Sequence, residues 1–208
     1  MIKHLFFDFD GTISDSYPLF MEIFRELSTA NGWELPYNDE ELLHHLLVSV
    51  KATHRDLGWN KFIEYPEFWN AFQTLQTEKA LKFKAFPQAV ELLRYATEKG
   101  IKCYVYTHSG RVVVDKMFRS MGIDGFITDS VDKSMGFPEK PAPDALLYMM
   151  KKHGLKPEEC MMIGDRPIDA EAGVNAGMRG CLWDFYGIFA DRSPDLYVRR
   201  LEDVRNLI

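Results

Sequence analysis

The chain has few cysteines and no long apolar run, and each shortage excludes a class of protein. Its 208 residues include 3 cysteines, an odd number that fits poorly with a secreted scaffold held by disulfides. Each lies in or beside an apolar stretch, where a free thiol packs as a small core residue: Cys103, Cys160 and Cys181. No window approaches the roughly 18 to 20 apolar residues of a membrane-spanning helix. The apolar stretch in the opening MIKHLFFDFDG is too short for the central region of a secretory signal peptide. We therefore expect a cytoplasmic protein without a membrane partner.

The chain also lacks an excess of positive charge. Lysine and arginine total 25 against 31 aspartates and glutamates, a formal net charge of -6 that argues against broad binding to nucleic acid or anionic membranes. Hydrophobic residues make up 46% and charged residues 27%, the balance of a folded globular protein. An anionic ligand would therefore have to be bound by a few local cations.

From residue 86 onward the sequence alternates between strand-like and helix-like blocks. Strands are predicted for the short apolar runs IKCYVYT, FIT, CMMIG and GCLWDF, and for IKHLFFDF near the start of the chain. The stretches between them have helical spacing and begin near proline or end at glycine, as in PQAVELLRYATEKG and APDALLYMMKKHG. This order predicts an α/β fold, a Rossmann-like core with a parallel sheet.

The seventy or so residues after the first predicted strand have a different character. Helices are predicted for PLFMEIFRELSTANG, NDEELLHHLLVSV and PEFWNAFQTLQTEKALKF, with Asn38 and Glu41 placed as a capping pair. No convincing strand interrupts them. We therefore predict an α/β core domain of residues 1–14 and 85–208, with residues 15–84 inserted as a helical cap domain.

Polar residues follow the predicted strands at the points where ligands bind in open parallel sheets. Any single aspartate there could be a turn former or a helix cap, and Asp129 and Asp132 are interpreted as turn residues. The remaining candidates are Asp8, Asp10, Thr107, His108, Ser109, Lys140, Asp165 and Asp169. Several carboxylates in one crevice repel each other unless a divalent cation and a lysine stabilise their charged forms, which favours a Mg²⁺ site beside a bound phosphate.

Four segments, taken in order, resemble the motifs of the haloacid dehalogenase superfamily. They are DFDGT at 8–12, Thr107 after a strand, Lys140 in KPAPD, and GDRPIDAEAG at 164–173. The resemblance covers nearly the whole chain. The helical insertion after the first motif is similar to that of the subgroup containing phosphoglycolate phosphatases and β-phosphoglucomutases. The resemblance implies a Mg²⁺-dependent phosphatase that acts on a small phosphorylated metabolite; nothing in the sequence indicates its oligomeric state.

The resemblance also implies a role for each catalytic residue. Asp8 would be the nucleophile that forms an aspartyl-phosphate, and Asp10 would protonate the leaving group and later activate water. Thr107 would donate a hydrogen bond to a phosphoryl oxygen, and Lys140 would neutralise the charge of the phosphate and of Asp8. Gly11 would let the backbone approach the phosphate.

Metal and substrate contacts are implied in the same way. Mg²⁺ would be bound by Asp8, Asp165 and the backbone carbonyl of Asp10, with Asp169 acting through water or orienting Lys140. The expected substrate-binding residues include His108, at a position where related sequences often have asparagine; the set is Gly11, Thr107, His108, Ser109 and Lys140. Arg166 could contact the substrate or pair with a nearby acid.

The insertion contains two further groups of candidates. One group could either face the crevice and bind the distal part of a substrate or form a solvated helix face: His44, His45, Lys51, His54 and Arg55. The other group is predicted to form the core of the cap: Trp59, Phe62, Phe68, Trp69 and Phe72.

Two alternatives to a phosphatase stay open. A phosphomutase would use the same core and hold a bisphosphate intermediate through the cap. A binding or regulatory member of the fold would need no turnover, but such a protein would be expected to have lost one of Asp8, Asp10, Lys140 or Asp165, and all are present.

Overall fold

Residues 1–15 and 84–208 fold into one α/β unit, and residues 16–83 form a separate helical unit. The structure is a computed structural model that describes residues 1–190 and 192–208. Within these residues, no helix is both long enough and apolar enough to span a membrane.

A parallel sheet forms the centre of the α/β unit. The described residues contribute 6 strands in the order β3-β2-β1-β4-β5-β6, all pairing in parallel. The strands are β1 His4–Phe7, β2 Lys102–Tyr106, β3 Ile127–Val131, β4 Cys160–Gly164, β5 Arg179–Trp183 and β6 Leu196–Val198. The predicted α/β fold with a parallel sheet is confirmed.

Two details of the sheet differ from the prediction. β3 continues past the run FIT to Val131, so Asp129 lies inside a strand and its interpretation as a turn residue is wrong. β6 was not predicted because its 3 residues, LYV, are too few to show a period of hydrophobic residues.

Helices in the described residues divide between the two units. The helical unit contains α1 Tyr17–Asn31, α2 Asp39–Val48, α3 Val50–Asp56 and α4 Tyr65–Glu78. The α/β unit contains α5 Pro87–Glu98, α6 Arg111–Met121, α7 Asp144–His153 and α8 Pro167–Asn175. Proline begins α5 and α8, where its missing N–H is not needed.

The central strands β1 and β4 are buried on both faces, as expected when helices cover a parallel sheet. Leu5, Phe6 and Phe7 have no exposed surface, and the ring of Phe6 stacks on that of Tyr104 with centroids 4.7 Å apart. Apolar residues thus fill the strands themselves. The charged residues of the first and last motifs begin where these strands end.

Aromatic side chains form the core of the helical unit. Phe24 stacks on Trp59 with ring centroids 5.5 Å apart, and both pack against Phe68. Trp59, Phe68 and Phe72 are fully buried. Phe62 was predicted to join this core, but it is 67% exposed, so that prediction is wrong.

The capping pair at the start of α2 is confirmed. Asn38 accepts a hydrogen bond from the backbone of Glu41, whose side chain accepts one from the backbone of Asn38, at 3.0 Å each. The helix α3 was not predicted as a separate element. Ser49 separates it from α2, because Ser49 ends α2 in an extended conformation and its hydroxyl accepts a hydrogen bond from Ala52 N–H at 2.9 Å.

The two chain segments at the border of the insertion pair with each other inside the α/β unit. The N–H of Asp15 donates to the carbonyl of Lys84, and the N–H of Phe86 donates to that of Ile13, both at 2.9 Å. A short antiparallel bridge links Ser14 and Ala85. The two connections to the insertion therefore start from adjacent positions.

Candidate active site

The carboxyl ends of adjacent strands bring the first polar residues of the site together. β1 lies between β2 and β4, and Phe7 at its end is in register with residues of both. Asp8 follows β1 directly, Thr107 follows β2 and Asp165 follows β4, and all of these side chains are buried. The strand order therefore determines their convergence.

Lys140 connects two carboxylates of the site. Its ammonium group contacts Oδ1 of Asp8 and lies 2.7 Å from Oδ1 of Asp169. The lysine side chain has no exposed surface, and its Nζ is 4.8 Å from the centre of the Tyr106 ring. Burial alone would lower the pKa of Lys140, but Asp169 and Asp8 raise that pKa above its usual value. Lys140 therefore stays positively charged.

Asp8, Asp165 and Asp169 form a cluster that suits a divalent cation. Oxygen atoms of these carboxylates lie within 4.8 Å of one another. Burial raises the pKa of Asp8, Lys140 opposes this effect, and the charges of Asp169 and Asp165 add to it. Oδ2 of Asp8 is buried and has no hydrogen-bond partner among the residues that the structure describes. A hard cation such as Mg²⁺ would satisfy that oxygen and favour the ionised carboxylates, so the residues present fit a metal ion.

Thr12 orients one of these carboxylates. Its hydroxyl donates to Oδ1 of Asp165 at 3.0 Å, and both side chains are buried. The sequence analysis gave Thr12 no role. The available signal was its place as the last residue of DFDGT.

Asp169 reaches the cluster because position 164 carries no side chain. A Cβ atom at Gly164 would lie 2.2 Å from the Cβ of Asp169, well inside the contact limit of two carbon atoms. Oδ2 of Asp169 accepts a hydrogen bond from the N–H of Arg166 at 3.0 Å, while its Oδ1 faces Lys140. The contact of Oδ1 with Lys140 orients the ammonium group, and the hydrogen bond to Oδ2 holds the carboxylate in place.

Asp10 and Ser109 meet beside this cluster. The loop after β1 turns at Gly11, whose φ of 89° suits glycine, and the carbonyl of Phe9 accepts 3 backbone hydrogen bonds within the turn. Asp10 is half-buried, and its Oδ2 accepts a hydrogen bond from the hydroxyl of Ser109 at 2.8 Å. The N–H of Ser109 in turn donates to Oγ1 of Thr107 at 3.0 Å.

His108 contacts the backbone of the lysine loop. Its Nε2 accepts a hydrogen bond from the N–H of Lys140 at 3.4 Å. Burial, followed by the charges of Lys140, Arg166 and Lys133, lowers the pKa of His108 to about 2, so the imidazole is neutral. The positive charge of Arg166 also lowers the pKa of Asp8 and that of Lys140, against the larger effects described above.

Asp129 and Asp132 lie outside the carboxylate cluster. Asp129, in β3, is 2.6 Å from Nζ of Lys152 and 2.7 Å from Nε2 of His153. Asp132 is a turn residue as predicted, since its carboxylate accepts a hydrogen bond from Ser134 N–H at 2.9 Å. Both have structural partners.

The basic residues of the helical unit have varied surroundings. His54 is 1% exposed and packs against Phe68 with ring centroids 4.5 Å apart, and burial lowers its pKa. It belongs to the core of the unit, which differs from both predicted environments. His45 stacks on Tyr37 at 4.3 Å and lies 3.4 Å from Asp56. The others are exposed: His44, Lys51 and Arg55.

Comparisons with known proteins identify the family and the fold. The family model described as haloacid dehalogenase-like hydrolase matches residues 5–183. The chain is 24% identical over 212 residues to pyrophosphatase PpaX of Anoxybacillus flavithermus, covering 100% of this chain and 97% of the relative. It is 28% identical over 187 residues to a phosphoglycolate phosphatase of Vibrio vulnificus, covering 85% and 81%. The crystal structure of CbbY from Rhodobacter sphaeroides with phosphate, 18% identical, has a TM-score of 0.80 and covers 98% and 96%, a likeness of fold.

Proposed function

The chain belongs to the haloacid dehalogenase-like hydrolases, and we propose that it hydrolyses a small phosphomonoester through an aspartyl-phosphate formed on Asp8. One observation carries this proposal. Buried Lys140 contacts the carboxylates of Asp8 and Asp169, at the point where Asp165 also converges. This arrangement keeps the carboxylate of Asp8 beside a fixed positive charge, which a phosphate dianion also requires.

In the proposed reaction, Asp8 attacks phosphorus in line with the leaving oxygen. The bond between the Asp8 carboxylate and phosphorus forms as the bond to the leaving alcohol breaks, and Asp10 gives its proton to the departing oxygen. Asp10 then takes a proton from water, which attacks the phosphorus of the acyl phosphate and releases inorganic phosphate and free Asp8. Lys140 and the hydroxyl of Thr107 stabilise the charge on the phosphoryl oxygens.

We assign the metal site to Asp8, Asp165 and the backbone carbonyl of Asp10. Asp169 orients Lys140 instead of binding the ion directly, because Oδ1 of Asp169 lies 2.7 Å from Nζ of Lys140 and its Oδ2 accepts the N–H of Arg166. Bound Mg²⁺ would neutralise charge on the phosphate oxygens. The pKa of Asp8, which burial raises, would then be lowered so that the nucleophile is ionised.

The names of the relatives suggest which substrates to test first. Two of them are a pyrophosphatase and a phosphoglycolate phosphatase. The ester 2-phosphoglycolate therefore heads the panel, and inorganic pyrophosphate, an anhydride, tests whether the same site also accepts phosphate as the leaving group. The 3 free and buried cysteines fit a reducing compartment, where we expect such a substrate to be met.

Asp8→Asn tests the proposal directly. We expect the variant to lose more than about 100-fold in kcat/KM on 4-nitrophenyl phosphate, because an amide oxygen is a poor nucleophile and forms no stable acyl phosphate. Asp124→Asn is the matched control. It makes the same replacement of a carboxylate by an amide at an exposed position of the same unit, and should keep the activity of the wild type. The measurement is steady-state hydrolysis, with intact-protein mass spectrometry to detect a phosphorylated Asp8.

Retained activity in Asp8→Asn would overturn the assignment of the nucleophile. Product analysis with glucose 1-phosphate separates hydrolysis from the alternative mutase reaction, which would yield an isomeric sugar phosphate and no inorganic phosphate. Binding of phosphate esters without any turnover by the wild type would favour the non-catalytic alternative.

A further inference from the structure

The hydroxyl of Ser109 joins two loops that lie far apart in sequence. Its Oγ donates to Oδ2 of Asp10 at 2.8 Å across a separation of 99 residues, and Ser109 is 2% exposed. The sequence analysis placed Ser109 among the substrate-binding residues. In the structure its hydroxyl instead contacts the carboxylate that the proposed reaction uses as acid and base.

Ser109 is held in place through its backbone as well. Its N–H donates to Oγ1 of Thr107 at 3.0 Å, and its carbonyl accepts from the N–H of Lys133 at 3.4 Å. The register of β1 with β2 fixes the loops that carry Asp10 and Ser109 relative to each other. The sheet therefore fixes where the two loops begin, and the backbone hydrogen bonds of Ser109 hold its own position within the second loop.

A carboxyl group on a half-exposed loop can rotate broadly about its χ2 angle. Proton transfer to a leaving group requires one oxygen within hydrogen-bond distance at the correct angle, so this rotation would lower the rate. A hydrogen bond to one oxygen of the carboxyl group removes most of that freedom. A protonated carboxyl group still accepts on its other oxygen, and a carboxylate accepts more strongly, so the hydroxyl can hold Asp10 in both states.

Resting on the phosphatase function proposed above, we propose that Ser109 is the positioning residue of Asp10: its hydroxyl fixes Oδ2, so that Oδ1 delivers the proton to the leaving oxygen. A carboxyl group carries its proton on one oxygen at a time, and a donor at Oδ2 favours protonation of Oδ1. As the bond from phosphorus to the leaving oxygen breaks, the proton on Oδ1 moves to that oxygen and Asp10 becomes a carboxylate. The hydrogen of Ser109 stays on Oγ throughout.

The basicity of the leaving group provides a selective test. Proton donation matters for an alkoxide leaving group, which is strongly basic, and matters little for 4-nitrophenolate, which leaves readily as an anion. The probes are 4-nitrophenyl phosphate and the best-hydrolysed alkyl ester among ethyl phosphate, glycerol 3-phosphate and 2-phosphoglycolate. The value of kcat/KM covers only the steps up to loss of the leaving group, so later hydrolysis of the acyl phosphate does not affect it.

We expect Ser109→Ala to lower kcat/KM for the alkyl phosphate about tenfold or more, and that for 4-nitrophenyl phosphate by less than about threefold. Ser109→Thr keeps the hydroxyl and should restore much of the loss. Ser109→Cys has nearly the volume of serine but is a weak donor, so it should show the same selective loss even if alanine prevents folding. In an Asp10→Asn background, Ser109→Ala should have no further selective effect.

Equal losses on both esters would overturn the proposal, since they would mean that Ser109 contacts the phosphate or supports the fold. A selective loss that persists in the Asp10→Asn background would also overturn it, because the effect would not pass through Asp10. Failure of the wild type to hydrolyse any of these esters would contradict the proposed function itself, and is distinguishable from both results.

Discussion

Gly164 determines whether Asp169 can reach Lys140. Its position at the end of β4 leaves room for the Asp169 side chain, and a Cβ added there would lie 2.2 Å from the Cβ of Asp169. The carboxylate would have to move away, and Lys140 would lose a partner that lies 2.7 Å from its Nζ. Because glycine has only a hydrogen atom where alanine has a methyl group, Asp169 can lie beside position 164 and orient the ammonium group of Lys140.

We therefore expect Gly164→Ala to lower kcat/KM by about 100-fold, the usual effect of displacing a charged group that stabilises a transition state. Overpacking should also lower the melting temperature. Gly125→Ala is the matched control, since its added Cβ would meet no atom within 4 Å. Both variants are compared by steady-state kinetics and thermal denaturation; wild-type activity in Gly164→Ala would refute the positioning of Lys140 through Asp169.

The residues of the cluster could be anticipated from sequence, but their partners could not. Strand ends in a parallel sheet share one edge, so Asp8 and Asp165 were expected to converge from the strand pattern alone. The contacts of Thr12 with Asp165 and of Ser109 with Asp10 depend on side-chain rotamers and loop geometry, at 3.0 Å and 2.8 Å. The hydrophobic periodicity of a sequence carries no information about such side-chain contacts.

Among the secondary-structure elements, the connection from β5 to β6 depends on one buried carboxylate. Asp184, directly after β5, accepts hydrogen bonds from the N–H groups of Gly187, Ile188 and Phe189 at 2.8 to 3.0 Å. It also accepts one from the hydroxyl of Tyr197 in β6 at 3.0 Å. Asp184 is 1% exposed, so its removal would leave these donors without an acceptor in a buried site.

Asp184→Ala should lower the free energy of unfolding by about 2 to 4 kcal/mol, because several buried donors lose their acceptor. Tyr197→Phe removes a single donor and should lower it by only about 1 kcal/mol. Urea denaturation of both variants and the wild type gives the comparison. An Asp184→Ala loss no larger than that of Tyr197→Phe would show that the loop does not depend on the carboxylate.

Strands and helices were predicted correctly where the apolar runs were long. They were missed where the element depends on polar contacts. β1, β2, β4 and β5 were predicted because buried parallel strands are continuously apolar. β6 was missed because it is short and its position depends on Asp184, and α3 was missed because Ser49 interrupts the helical pattern without glycine or proline. A tertiary hydrogen bond to Asp184 decided the case of β6, and the local N-cap of Ser49 decided that of α3.

For the protein as a whole, metal binding should be visible as added stability. Ligands that bind only the folded state stabilise it by mass action, by about 2.7 kcal/mol at a hundred times the dissociation constant. For a chain of this size that corresponds to a rise in melting temperature of roughly 5 to 10 °C. We expect this rise when Mg²⁺ is added to protein treated with EDTA, together with recovery of phosphatase activity.

Asp165→Asn is the control for that measurement, because the change removes a charged ligand from the cluster while keeping its shape. The variant should show little rise in melting temperature with Mg²⁺. An equal rise in the variant and the wild type would place the ion elsewhere, and full activity of the metal-free wild type would contradict the metal site.

The paired segments at the border of the insertion have an evolutionary consequence. Residues 13–15 and 84–86 are hydrogen-bonded to each other. The only requirement on an inserted sequence is therefore that its two ends lie close together. Lineages could therefore exchange, lengthen or shorten the insert without disturbing the strand registers behind the carboxylates. The positions of the carboxylates are thus insulated from changes in the length or sequence of the insert.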